Sequence, residues 1–360
     1  MTAQRVAIFA GGTGGHVYPA LAVASELMQR GYHVEWFGTD RGLEARVVPE
    51  AGYPLHVLTV SGIRGKGLFA RLQGVTSIFK ALLQALAALR TIRPVCALGM
   101  GGYVAGPAGL AAWLLRIPLV IHEQNSVAGT TNRLLRRRAR AVLAAYPDAF
   151  GPGAAVRDVG NPIRADLLVA PCDYNYDRHR PLRLLVIGGS LGAQALNEVV
   201  PQALALLARG VGISVKHQTG PAHAVSVRAS YPDSLPVPVE VLPYIEDMAE
   251  VYRWADLVLC RAGALTVAEL AIMGRPSILV PLPQAIDNHQ AHNAAWLAEQ
   301  GAATLQPQSE LTPELLAQTL TQLAAEPAAL NAMAAAARKA AKPRATAAVA
   351  DVCEEVRRGR

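Results

Sequence analysis

A chain of 360 residues is long for a single hydrophobic core and suits two domains, and 52% hydrophobic against 17% charged residues excludes disorder as its main state. Cys96, Cys172, Cys260 and Cys353 lie far apart with no CxxC pair, which fits neither a disulfide framework nor a zinc site and suits a reducing compartment. The net charge of +7 is uneven, +9 over residues 1–180 and −2 over the rest, so a basic surface suited to nucleic acid or an anionic bilayer belongs to the first half.

The first ten residues hold one arginine and a short apolar run, VAIFA, that enters a glycine loop directly, unlike a signal peptide. RVAIFA predicts a strand and HVYPALAVASELMQR a helix. Strands HVEWFG, LHVLTV, PVCALGM and PLVIHEQ then alternate with helical stretches, which is a βαβ succession. Within it, Gly65 to Arg93 mixes Phe69, Leu72, Val75, Ile78, Phe79, Leu82 and Leu83 with Arg71 and Lys80, the pattern of an interfacial amphipathic helix or of a core helix. No apolar run reaches the roughly 18 residues of a membrane span, since Arg116 and Pro118 interrupt the best candidate. The run RLLRRRAR, Arg133 to Arg140, adds five arginines, each worth about 1 kcal/mol near an anionic leaflet.

A hinge is expected near Gly160-Asn161-Pro162, before a polar, proline-bearing stretch from Pro171 to Pro181. The strand grammar then restarts at LRLLVIGG and continues through ISVKHQTG, VEVLPY, DLVLCRAG, SILVPLP and AATLQP. An Ala-rich tail from Pro327 to Arg360 reads as helical with a break at Pro343. The expected division is a first domain over 1–161, a second over 162–340, and a C-terminal helix over 341–360 packing back on the first.

In both halves the first strand ends in a glycine-rich turn into a helix, AGGTGGH at Ala10 to His16 and IGGSLGA at Ile187 to Ala193. Such loops either make a tight turn or let the backbone and a helix N-terminus approach a phosphate. Glu35 and Asp40 stand where a nicotinamide site needs an acid, but Val17 replaces the last glycine of the dinucleotide fingerprint. The loop GIRGKGL likewise lacks the spacing and Ser/Thr of a P-loop. A nucleotide sugar remains as the source of phosphates. Polar residues beyond the carboxyl ends of strands carry most weight in an open α/β sheet. They are Thr13 to His16, the GMGGY run ending at Tyr103, His122-Glu123-Gln124-Asn125, and Arg261-Ala262-Gly263 leading to Glu269.

GGTGGHVYPALAVA, VSGIRGKG, GMGGYVAGP, HEQNSVAG, GNPIR, GGSLGA, CRAGALTVAEL and DNHQAHNA, in this order from about residue 5 to about residue 300, resemble the bacterial MurG family. These are the N-acetylglucosaminyltransferases that make lipid II in peptidoglycan synthesis. Leu191 departs from the family pattern, and His289-Gln290 could shift by one position which side chain meets the sugar. The resemblance implies the GT-B architecture, two doubly wound Rossmann-like α/β domains facing across a cleft.

It further implies a UDP-N-acetylglucosamine donor on the second domain, with Ser190 and the following helix near the diphosphate, Ile245 near uracil, and Glu269 on the ribose hydroxyls. Ala264, Leu265, Thr266, Val267, Ala268 and Glu269 would form the donor cradle, completed by Arg164, Gln290 and, from the first domain, Thr13, Gly14, Gly15 and Asn125. The implied acceptor is undecaprenyl-diphosphate-N-acetylmuramyl pentapeptide, whose C4 hydroxyl attacks with inversion. That step needs a general base, for which His16 is the first candidate and Glu123 the second; each could instead only position substrate. Tyr103 and Asn132 are acceptor-side candidates, and Asn197 a donor-side one.

Cleavage of the anomeric bond pushes negative charge onto UDP, where a helix N-terminus and Arg164 or Arg261 would help. No DxD occurs in the chain, so neither a metal nor another cofactor is expected. The basic and apolar first-half surface implies peripheral attachment to an anionic membrane, at its cytoplasmic face. A GT-B transferase or epimerase with a soluble acceptor would not need that surface. A nucleic-acid-binding module would interleave aromatics with its arginines, and RLLRRRAR has none, so no nucleic-acid partner is expected.

Overall fold

The computed structural model describes residues 4–60, 68–169, 173–189, 192–207, 211–232, 235, 238–283, 285 and 288–358, and the side chains of 68–75 lie outside that description. The chain divides into two compact units, residues 1–164 with 343–360, and residues 165–342.

In the first unit the chain runs β1 (Arg5–Phe9), α1 (Gly14–Gln29), β2 (His33–Gly38), α2 (Glu44–Glu50), β3 (Leu55–Val57), α3 (Leu68–Ile92) and β4 (Cys96–Gly99). It continues through α4 (Gly102–Leu114), β5 (Leu119–Glu123), α5 (Thr130–Leu135), β6 (Ala141–Ala144) and β7 (Arg157–Asp158). All pairings are parallel, in the order β3-β2-β1-β4-β5-β6-β7. Strand alternation feeds two cores. Val6 and Ile8 pack with Val17, Val23 and Leu27 of α1, whereas Ala7 and Phe9 pack with Ala85 and Leu89 of α3 and Ala108 and Ala112 of α4. Helices on both faces bury the central strands apart from Arg5 at the start of β1, which is why they read as apolar runs.

The second unit begins with α6 (Ala165–Leu168), β8 (Leu182–Ile187), α7 (Gln194–Ala205), β9 (Ile213–Gln218), α8 (Ala224–Ser230), β10 (Val239–Leu242) and α9 (Met248–Trp254). It goes on through β11 (Leu257–Cys260), α10 (Ala264–Met273), β12 (Ser277–Leu279), α11 (His289–Glu299), β13 (Ala303–Leu305), α12 (Pro313–Ala325) and α13 (Pro327–Ala340). Its sheet is again parallel, in the order β10-β9-β8-β11-β12-β13. The last helix, α14 (Ala345–Arg358), returns to the first unit: Val349, Ala350, Cys353 and Val356 join the core of Val6 and Ile8. Arg30 meets Asp351 at 2.7 Å, and both guanidinium nitrogens of Arg157 meet Glu355 at 2.5 and 2.9 Å.

Two doubly wound parallel sheets are the fold expected from the repeated strand grammar. Every strand named from the sequence is present, and the sheet of the first unit adds two that were not, β6 and β7. AVLA is only four residues directly after an arginine run, and Arg157–Asp158 is an exposed two-residue edge, so neither carries a strand-length apolar signal.

Candidate functional site

Each sheet reverses its strand order once, between β1 and β4 in the first unit and between β8 and β11 in the second. Loops beyond those carboxyl ends splay apart and leave the crevice where ligands bind in doubly wound folds. Thr13 to His16, Glu123 and Asn125 lie on or beside the loops of the first, and Arg261, Thr266 and Gln290 line the cavity at the second.

At the first switch point the loop Gly11–Thr13 leads into α1, with His16 in its first turn. The loop is held from below by a residue that the sequence did not single out. Glu44 is fully buried, and its carboxylate accepts bonds from Gly12 N–H (2.9 Å), Thr39 N–H (3.0 Å) and the Thr39 hydroxyl (2.7 Å). A Cβ at Gly11, Gly38 or Gly42 would lie within 2.6 Å of the Glu44 side chain, so those glycines make its socket. The loop after β4 presses on the same place. Gly102 has φ +81°, and a Cβ there would stand 2.2 Å from the Gly11 carbonyl oxygen; one at Gly101 would stand 2.8 Å from His16 Nδ1. Gly102 therefore serves backbone contact with the first loop and Gly101 leaves room for the His16 ring, and Tyr103 after them is exposed.

The loop after β5 completes this place. His16 Nδ1 lies 3.0 Å from Gln124 Oε1, Gln124 Nε2 lies 3.2 Å from His122 Nδ1, and His122 Nε2 lies 2.9 Å from the Gly160 carbonyl oxygen. His122 is fully buried, and burial pushes its imidazole down to about 4 against the smaller opposing pulls of the Gly160 carbonyl and Glu123, so it is neutral at neutral pH. The Glu123 carboxylate is nearly fully buried and accepts from Asn125 N–H (3.1 Å), Asn125 Nδ2 (3.3 Å), Gly129 N–H (3.1 Å) and Asn132 Nδ2 (2.8 Å). Asn132 is buried beneath the loop and also donates to the His122 carbonyl. Thr13, Gly14, Gly15, His16, Glu123 and Asn125 are thus gathered around one switch point, while Asn132 supports the loop from inside. Arg164, half-buried, is the last residue before the chain enters the second unit.

At the second switch point a cavity of about 760 Å³ opens between the loops after β8 and β11. Gly188, Gly189, Gly192, Gln194, Glu198, Arg261, Gly263, Thr266, Leu282, Gln290 and Gln308 are among its lining residues. The N-terminus of α10 faces it through Gly263 and Thr266. Arg261 is held by the Val280 carbonyl (3.1 Å) and Gln308 Oε1 (2.7 Å), and burial lowers its pKa. Gln290 accepts from Leu282 N–H at 3.0 Å. Of the expected donor cradle, Ala264, Val267 and Glu269 are buried, whereas Leu265, Thr266 and Ala268 are half-exposed. Glu269 accepts from the buried Tyr252 hydroxyl at 3.0 Å. Asn197 is buried and donates to the Thr219 carbonyl, and Ile245 is also buried. Ser190 and Leu191 lie outside the described residues. Among the described residues, no three His, Cys, Asp or Glu side chains gather as a metal site.

The first unit also carries an apolar and basic surface. Ala81, Ala85 and Leu89 turn the buried face of α3 inward, leaving Ile78, Phe79 and Leu83 exposed beside Lys80. At the end of α4, Trp113 and Leu114 are exposed, the guanidinium of Arg138 sits 5.2 Å from the Trp113 ring centre, and Leu134 is exposed within the arginine run. Trp113 and Leu114 were hidden inside an apolar stretch that reads as core. Phe69, Leu72, Val75 and Arg71 lie outside the described side chains. Among the described residues, no helix is long and apolar enough to cross a membrane.

Residues 6–144 match the Glycosyltransferase family 28 N-terminal domain, and residues 183–349 match the Glycosyltransferase family 28 C-terminal domain. A relative from Ectopseudomonas mendocina (strain ymp), named UDP-N-acetylglucosamine–N-acetylmuramyl-(pentapeptide) pyrophosphoryl-undecaprenol N-acetylglucosamine transferase, is 52% identical over 99% of both chains. A relative of the same name from Azotobacter vinelandii is also 52% identical over 99% of both. The crystal structure of Acinetobacter baumannii MurG superposes with a TM-score of 0.85 at 43% identity, covering 98% of this chain and 99% of that one. A glycosyltransferase of kitacinnamycin shares the fold at 20% identity and a TM-score of 0.73, over 99% of this chain and all of that one.

Proposed function

The chain belongs to the MurG family of glycosyltransferases, and from that premise we propose how its two switch-point sites divide the reaction. The enzyme transfers N-acetylglucosamine from UDP-N-acetylglucosamine to undecaprenyl-diphosphate-linked N-acetylmuramyl pentapeptide, the activity named for its full-length relatives. The second unit takes the donor and the first takes the acceptor. The observation that carries this division is that the 760 Å³ cavity opens on a helix N-terminus and Arg261, which suit a diphosphate, whereas the first switch point holds a histidine.

In the donor site the diphosphate lies against the β8–α7 loop, Ser190 included, with Arg261 and Arg164 opposing the charge that grows on UDP as the anomeric bond breaks. Glu269, oriented by Tyr252, takes the ribose hydroxyls, and Ile245 lies against uracil. Ala264 to Ala268 shape the cradle; Gln290, Thr13 to Gly15 and Asn125 take the sugar and diphosphate side. The acceptor C4 oxygen forms a bond to the anomeric carbon as the carbon–oxygen bond to UDP breaks. The configuration inverts to a β-linkage, and the hydroxyl proton passes to His16. Four donors occupy the Glu123 carboxylate, so its part is to hold the loop that carries Gln124 and Asn125.

The exposed Phe79, Leu83, Trp113 and Leu114, interleaved with Lys80 and the arginine run, support peripheral docking on an anionic leaflet at the cytoplasmic face. The acceptor would then present only its head group. The test is transfer of labelled N-acetylglucosamine to a lipid-linked acceptor analogue in detergent. Label in the lipid product is expected. Donor binding without lipid product, but with transfer to a soluble acceptor, would overturn the assignment.

A further inference from the structure

Hydrogen-bond polarity along the chain Gly160–His122–Gln124–His16 can be derived from one end. The Gly160 carbonyl oxygen has only lone pairs, so the His122 Nε2 that meets it at 2.9 Å must carry a hydrogen. His122 is neutral in its fully buried position, so its Nδ1 is then an acceptor. The Gln124 atom facing that nitrogen at 3.2 Å must therefore be the amide NH2, and it also approaches the His122 carbonyl, another acceptor. Gln124 is buried and has no freedom to turn without breaking this contact. Its carbonyl oxygen is left facing His16 Nδ1 at 3.0 Å, and an oxygen there can be satisfied only by a hydrogen on that nitrogen.

We propose that Gln124 and His122 are positioning residues that fix the ring proton of neutral His16 on Nδ1, leaving Nε2 as the unprotonated nitrogen that receives the acceptor proton. Gly101 reinforces the arrangement. A Cβ there would stand 2.8 and 2.9 Å from Nδ1 and Cε1, so only a glycine leaves room for the His16 ring in the orientation that turns Nδ1 to Gln124. The polarity is set by a backbone carbonyl and transmitted through neutral groups, so no buried charge is required. The inference rests on the reading of His16 as the general base, and it explains why a histidine on a glycine loop would act in one tautomer.

The test is NMR of the histidine ring nitrogens in the full-length enzyme, at a pH where His16 is neutral, with the His16 signals assigned by loss in His16→Ala. The wild type should show a protonated Nδ1 and an unprotonated Nε2. Gln124→Met, close in shape but unable to hydrogen-bond, should lose that bias, and kcat should fall by about tenfold with the donor KM within about twofold. Gln124→Glu should keep it with the carboxyl group protonated, its O–H donating to His122 Nδ1 and its C=O accepting from His16 Nδ1. A wild-type His16 protonated on Nε2 would overturn the relay, as would a Gln124→Met enzyme with unchanged spectrum and kcat. If Gln124→Met fails to fold, the wild-type spectrum still decides. Full activity in His16→Ala with the Nδ1-protonated spectrum in the wild type would remove the base and leave the relay.

Discussion

The carboxylate of Glu44 reaches under the glycine loop to accept the backbone N–H of Gly12 at 2.9 Å, thirty-two residues earlier in the chain. Two further donors from Thr39 complete its shell, so the loops after β1 and β2 are pinned to one buried group. Glu44→Ala removes the acceptor of these part-buried donors and empties a buried socket. A loss of about 3 kcal/mol in unfolding free energy is expected, read by denaturant titration, together with a fall in kcat as the His16 loop loosens. Glu44→Gln, which keeps one acceptor oxygen, should lose less.

The second glycine loop makes a comparable prediction through backbone alone. Gly192 has φ +81°, and a Cβ there would stand 1.9 Å from the Thr219 carbonyl oxygen. Gly192→Ala must both strain its own backbone and push the loop off the β9–α8 turn, at a cost of about 1–3 kcal/mol. Since that loop lines the 760 Å³ cavity, calorimetry should show UDP affinity weakened by about tenfold or more.

Acid should destabilise both units through buried histidines. Burial pushes His122 and His217 down to about 4, so below about pH 6.5 the unfolded chain binds protons that the folded chain refuses. Their contribution is fully present above about pH 7, is lost as pH falls, and levels off below about pH 4. Between about pH 7 and about pH 5 the loss is on the order of 2 kcal/mol per histidine. Denaturant titrations across that range should show the fall, and His217→Phe should reduce it by about half.

The exposed surface of α3 and α4 predicts separation of membrane binding from chemistry. Phe79→Ser combined with Leu83→Ser removes apolar area from a face that carries Lys80 and lies on the same unit as the arginine run. Sedimentation with anionic vesicles should fall by about tenfold or more, and wild-type binding should weaken as salt rises. Transfer to a short-chain acceptor in solution should stay within about twofold of wild type.

The two sheets were legible in the sequence because strands buried on both faces are written as apolar runs ending in glycine turns. Both switch-point loops follow from the same signal. Glu44 was not legible: an acid at the start of a short helix looks like a solvated surface residue, and only folding brings it beneath a loop thirty-two residues away. His122 and Gln124 stood in a noticed tetrad, yet their polarity depends on Gly160, which the sequence marks only as a turn. Gly101 and Gly102 read as a ligand loop, whereas their missing side chains admit His16 and Gly11. Trp113 and Leu114 end a helix whose inner face is buried, and nothing in an apolar stretch says which of its residues emerge.

The role of His16 is tested most sharply by kcat for transfer to the lipid-linked acceptor in His16→Ala, with EDTA present and UDP-N-acetylglucosamine affinity measured on the same protein. A loss of about 10²- to 10⁴-fold in kcat is expected with donor affinity nearly unchanged, and wild-type transfer should be undiminished by the chelator. A variant that keeps wild-type kcat would contradict the role of His16, and loss of wild-type transfer in EDTA would contradict a chemistry run by dipoles and side chains alone.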